Sequence, residues 1–164
     1  MAYNRDSALE LHKDYSENQK NWEMFIRSFN GGYDYTLGQY LNRYNLELDN
    51  EFNQRLANTP CDNHCKNIIQ IYSSFLFRER ASRDFGSMSE EPSLQPFLKD
   101  ADLEGNNFNT VMKTAQNYAS IYGHCFMILD KPNIQTATRA EELNQEIRPY
   151  VSIVTPENVF DWNF

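Results

Sequence analysis

The chain has 164 residues, enough for one domain with a sizeable core, and aromatics make up 14% of it, so Tyr and Phe carry much of the burial. A formal charge of −8 and a sequence pI near 4.8 argue against a protein that grips nucleic acid through its phosphates, and predict repulsion from DNA backbones and anionic membranes. The start, MAYNRDSALELHKDYSENQ, lacks the apolar run of a signal peptide, nothing approaches the roughly 20 apolar residues of a membrane helix, and three cysteines are an odd number for a disulfide framework, which points to a reducing compartment or a particle assembled in one.

Along the chain, Trp22, Phe25, Ile26 and Phe29 recur at i, i+3, i+4 and i+7 and predict a helix over about 16–29, ended by Gly31-Gly32. A second helix is expected from Thr36, with Leu37, Tyr40, Leu41 and Tyr44 as its stripe. A third starts near Asp49 and has Phe52 and Leu56 one turn apart. The fourth, about Pro60 to Glu79, opens on a proline suited to a first turn. It carries the strongest stripe in the chain: Cys65, Ile68, Tyr72, Phe75 and Leu76. The charged, then small and polar stretch RERASRDFGSMSEEPS follows and predicts an exposed loop over about 82–92.

A fifth helix, about 107–122, places Phe108, Val111, Met112, Ala115, Tyr118, Ala119 and Tyr122 on one side, with Gly123 as its cap. The period then changes. HCFMILD is a short continuous apolar run that suits a buried strand. Thr138 and Glu141 have capping-box spacing for a short helix. The ending, RPYVSIVTPENVFDWNF, reads as a strand, a Thr-Pro-Glu-Asn turn and a second strand opening on Val159, Phe160 and Trp162. The order gives an α+β fold: N-terminal helices followed by a small, mostly antiparallel sheet, incomplete at the C-terminus. The last strand is expected to pair with HCFMILD or to stand as an open apolar edge, which needs a partner.

The sharpest metal candidate is PCDNHC, where Cys61, His64 and Cys65 lie close together and His124-Cys125 adds a distant pair. Thiolate and imidazole suit zinc. Yet no further paired motif supplies the remaining ligands, and Cys61 and Cys65 fall on the apolar stripe of the fourth helix. Core cysteines are the preferred reading, and no metal or other cofactor is assigned. The chain has no P-loop, no G-x-G-x-x-G and no G-x-S-x-G, so no catalytic residue is assigned either. Glu90-Glu91 and Glu141-Glu142 read as solvated faces. Arg78, Arg80 and Arg83 form the one basic cluster. It suits a phosphate backbone or acidic groups on a neighbouring subunit, and in so acidic a chain the second is preferred.

Four stretches in succession carry a resemblance. YDYTLGQYLNRYNLELDNEFNQRL is an aromatic-rich helical entry, and NHCKNIIQIYSSFLFRE is a helix ending on Phe77 and Arg78. FLKDADLEGNNFNTVMKTAQNYASIYGHCFMILDKP passes from a helix through Ile-Tyr-Gly straight into a strand, and RPYVSIVTPENVFDWNF closes the series. From about Tyr33 to Phe164 this order resembles the N-terminal part of tailed-bacteriophage portal proteins. The Ala119 to Gly123 junction and TPENVFDW are its most specific pieces.

The resemblance implies a structural protein and not an enzyme. Portal proteins form a ring, usually a dodecamer, at one capsid vertex, through which double-stranded DNA is packaged and ejected without sequence specificity. The implied partners are other copies of the chain, the major capsid protein, the terminase motor and the head-tail adaptor. The implied location is the virion, after assembly in the host cytoplasm. The chain then corresponds to the beginning of the wing: a helical arm over 1–32, a helical region over 33–123 and strands of an incomplete sheet over 124–164. The stem, clip and crown lie outside it. Two other readings stay open: a helical adaptor that binds a protein through its aromatic faces, and a small zinc protein using Cys61, His64 and Cys65.

Overall fold

A computed structural model describes residues 11–38, 40–60, 62–134, 138–145 and 147–162. Among these, seven helices come first in the main, followed by a two-stranded antiparallel sheet near the C-terminus. They fall into two compact units. One is drawn from Met1–Tyr72 together with Pro156–Phe164, and the other is Ser73–Thr155.

The first unit opens with α1, Lys13–Asn30. Its N-cap is His12, whose Nδ1 accepts the Asp14 amide at 3.2 Å. Tyr15 and Trp22, seven residues apart, are its buried side chains and meet edge to face at 5.7 Å between centroids. The helix stops at Gly31, whose φ of 68° favours glycine. A side chain there would also strike Asn63, whose Nδ2 donates to the Phe29 carbonyl at 2.5 Å. Helix α2, Gly32–Leu37, follows.

The helix expected from Thr36 does not continue through Tyr44, because other partners take its residues. The Tyr40 ring lies against Gly38, at a spot any larger residue would fill, and packs on Tyr35 at 5.2 Å. Arg55 then clamps the following loop. It donates to both Glu47 carboxylate oxygens at 2.7 Å and to the Asn42 carbonyl at 2.8 Å. That bidentate contact holds the Glu47 carboxyl below its usual range. Arg55 projects from α3, Asp49–Asn58, where the sequence places it.

Helix α4 is His64–Leu76, shorter than the expected span from Pro60 to Glu79. Asn63 starts it by accepting the Lys66 amide at 2.9 Å. Its stripe is the largest departure from the sequence reading. Ile68, Ile71, Tyr72, Phe75 and Leu76 are 56–71% exposed, and Cys65 is exposed too. The buried residue of α4 is Ser73. Periodicity found the helix correctly, but the cover for its apolar face is not supplied by the described residues.

The second unit is built on α6, Phe108–Tyr122, with Val111, Ala115, Ile121 and Tyr122 buried. Asn107 caps it by accepting the Thr110 amide at 3.0 Å, and Gly123 ends it in the left-handed region at φ 88°. A 3₁₀ segment, Gly86–Glu90, occupies part of the expected loop, and α5, Leu94–Lys99, is a helix the sequence did not announce. Six residues with a proline inside give periodicity too little length to register. The core cluster joins Ala101, Val111 and Val151, with Phe97, Phe108 and Ile153 packed against it.

Strands β1, Phe126–Asp130, and β2, Tyr150–Val154, pair antiparallel with Ile128 opposite Ser152. Helix α7, Arg139–Asn144, lies between them in sequence, and the Thr138 hydroxyl accepts the Glu141 amide at 3.3 Å, as the spacing predicted. One residue holds this unit together in a way the sequence did not advertise. Arg148 is 8% exposed, and its guanidinium bonds the Asp100 carboxylate at 2.6 Å as well as the Asp100 carbonyl. Removing the Asp100 carboxylate strands the buried guanidinium, at a cost of about 3 kcal/mol.

The last expected strand is a correction. Pro156–Asn158 form a 3₁₀ turn, and 159–162 are not strand. The segment runs back onto α1 in the first unit. The His12 amide donates to the Phe160 carbonyl at 2.9 Å, and the Tyr15 hydroxyl donates to the Glu157 carbonyl at 3.1 Å. Phe160 meets Tyr15 edge to face at 5.3 Å, and Trp162 stacks on His12 at 4.1 Å. Pro156, fully buried, has no N–H for a ladder, and the alternate aromatics find a ready aromatic surface on α1.

Candidate functional site

Arg78, Arg80 and Arg83 follow α4 in the second unit. The structure brings them together with two lysines that are distant in sequence. A cavity of about 760 Å³ is lined by Arg78, Arg80 and Arg83, by Lys99 at the end of α5 and by Lys113 on α6. Glu79 is the carboxylate among its lining residues. Arg83 is half-buried, with its guanidinium 4.9 Å from the centre of the Phe108 ring, which fixes it toward the cavity wall. The other four cations are exposed at the surface. The first turn of α6 contributes Phe108, Asn109 and Thr110, so the positive end of that helix's dipole adds to the same field.

Sequence reasoning found the three arginines because they are clustered along the chain. It missed Lys99 and Lys113, which reach the cavity only through the packing of α5 and α6. The signal that could have found Lys113 is its place on the polar face of a helix whose other face is core.

Among the described residues the zinc candidates are not assembled. Cys61 lies outside the described residues. His64 and Cys65 are exposed at the start of α4, in the first unit, whereas His124 and Cys125 belong to the second. No group of three or more His, Cys, Asp or Glu is arranged to hold a metal ion among the described residues. Cys125 is half-buried, its Sγ donates to the Ala115 carbonyl at 3.4 Å, and burial pushes its thiol up. The acidic loop after α5 is likewise occupied. Burial opposes ionisation of Asp102, but the Asn106 side chain and the Glu104 and Asn106 amides outweigh it and hold the carboxyl low.

Two apolar surfaces stand exposed among the described residues. One is the α4 stripe. The other is the outer edge of β1. The Val151 amide donates to the Ala101 carbonyl at 2.8 Å, so Val151 faces away from β1. Its opposite number Leu129, and Met127 two residues back, must then turn their own N–H and C=O groups outward on the far side. Met127, Ile128 and Leu129 are 41–67% exposed. Among the described residues this is an apolar edge with no partner strand, on a sheet of two strands, fewer than independent stability needs. No helix of the described residues is long and apolar enough to cross a membrane.

No family model matches the chain, and no curated protein matches it in sequence.

Proposed function

We propose that the chain is the wing portion of a tailed-bacteriophage portal protein: a structural component of a ring at one capsid vertex, through which DNA passes and on which terminase and tail components dock. The observation that carries this reading is the succession from α6 through Gly123 into β1, then β2, then the Pro156–Asn158 turn. It keeps part of the order on which the sequence resemblance rests, without the second C-terminal strand expected there. Two further features support it. The α4 stripe and the β1 edge are apolar surfaces of the kind that assembly covers. Light scattering on the purified protein, followed by negative-stain microscopy, tests the proposal. A closed ring with a mass many times the 19.3 kDa of one chain is expected. A monodisperse monomer at every concentration overturns it.

The α4 stripe favours a second reading, a helical adaptor whose partner covers Ile68, Tyr72 and Phe75. A monomer that folds cooperatively and binds one foreign protein through that face fits the adaptor and not the ring.

A further inference from the structure

We infer that the cavity lined by Arg78, Arg80, Arg83, Lys99 and Lys113 is an acceptor site for a carboxylate-bearing segment of a second copy of this chain. The inference rests on the oligomeric reading above and names one of its contacts.

Most of the chain's cations outside the cavity are already paired. Lys13, Arg27, Arg43, Arg55, Lys131 and Arg148 each hold a carboxylate within 4.0 Å. Among the residues whose side chains are described, the lysines and arginines with no carboxylate within that distance are the five of the cavity plus Lys20 and Lys66. A chain with 23 acidic residues against 15 basic ones has carboxylates to spare. It nonetheless leaves five cations unpaired around one hollow. Like charges gathered this way repel one another in the free protein, and an acidic occupant relieves that repulsion.

The occupant's chemistry follows from the lining. The cations come from three separate stretches and surround an open volume of about 760 Å³, which suits several acidic groups spaced along a peptide better than one small anion. The Phe108 ring already carries Arg83 on one side and packs against Phe97 at 5.5 Å. It is not a free platform for a nucleobase, and stacking is what single-stranded nucleic acid requires of an aromatic groove. A polyanion and a second copy both meet the chain's net charge of −8, but the copy also carries 15 basic residues and can present acidic ones locally while its other faces stay mixed in sign. A basic hollow on one copy and an acidic segment elsewhere on the next make a heterologous contact, the kind that closes into rings.

The test compares two charge-matched double variants by sedimentation of the full chain. Arg78→Glu with Lys113→Glu reverses the cavity, and Lys20→Glu with Lys66→Glu reverses the unpaired cations outside it. Thermal unfolding and helicity establish that both fold. The cavity variant is expected to raise the concentration for half-assembly by at least about tenfold, and the control variant to leave it near wild type. Raising salt from about 0.05 to 0.5 M should weaken wild-type assembly and change the cavity variant little. Assembly that persists equally in both variants overturns this inference alone. A monomeric wild type overturns it together with the ring. A labelled thymidine 12-mer that binds wild type and not the cavity variant, while assembly is indifferent to the substitution, makes nucleic acid the occupant and also overturns it.

Discussion

Helices α4 and α6 are built to the same local specification, yet one is core and the other is surface. Each begins on an asparagine whose side chain accepts an amide three residues on: Asn63 for α4 and Asn107 for α6. Each carries an apolar stripe at helical spacing. On α6 that stripe buries Val111, Ala115 and Tyr122, whereas on α4 Ile68, Tyr72 and Phe75 are mostly exposed. Periodicity therefore reports that a face is apolar and is silent on what covers it. A face covered by its own chain and a face left open look identical in sequence.

The sharpest way to separate the helices is truncation. Val111→Ala should cost about 2 kcal/mol of unfolding free energy, because it opens a cavity among Ala101, Val151 and Phe108. Phe75→Ala, although it deletes far more apolar surface, should move the denaturation midpoint of the unassembled chain by no more than about 0.5 kcal/mol. Equal losses at the two positions would mean that α4 is covered in solution, and the comparison would fail. The caps come next. Asn107→Ala should cost about 1 kcal/mol. Asn63→Ala should cost somewhat more, because Asn63 also donates to the Phe29 carbonyl and so ties α4 to the end of α1. Denaturation of both variants measures the difference. The smallest effect is chemical. Iodoacetamide should modify Cys65 quickly and Cys125 slowly, since Cys125 is half-buried and its raised thiol pKa leaves less thiolate at mild alkaline pH. Mass spectrometry over time resolves the two sites, and equal rates would contradict the burial difference.

These contrasts show how far the sequence could be read. The existence of α1, α3, α4 and α6, the HCFMILD and YVSIV strands and the Thr138 cap were legible, because each rests on a local period or a capping residue. Long-range partners were not. The Arg55–Glu47 clamp replaced a predicted helix, Phe160 and Trp162 chose α1 over the sheet, and Lys99 and Lys113 joined the arginines only through tertiary packing. Such outcomes depend on competition between distant groups, which no window of a few residues contains.

The return of Pro156–Trp162 to α1 has a consequence in time. The Tyr15 hydroxyl and its acceptor carbonyl are 142 residues apart. At bacterial-to-eukaryotic synthesis speeds, roughly 7 to 28 s separate the emergence of the two from the ribosome. The second unit, contiguous from Ser73 to Thr155, is therefore complete before the first, even though α1 is made early. Until the final turn arrives, the aromatic surface of Tyr15 and His12 is a nascent-chain liability. A chaperone that recognises exposed aromatics has its longest opportunity there.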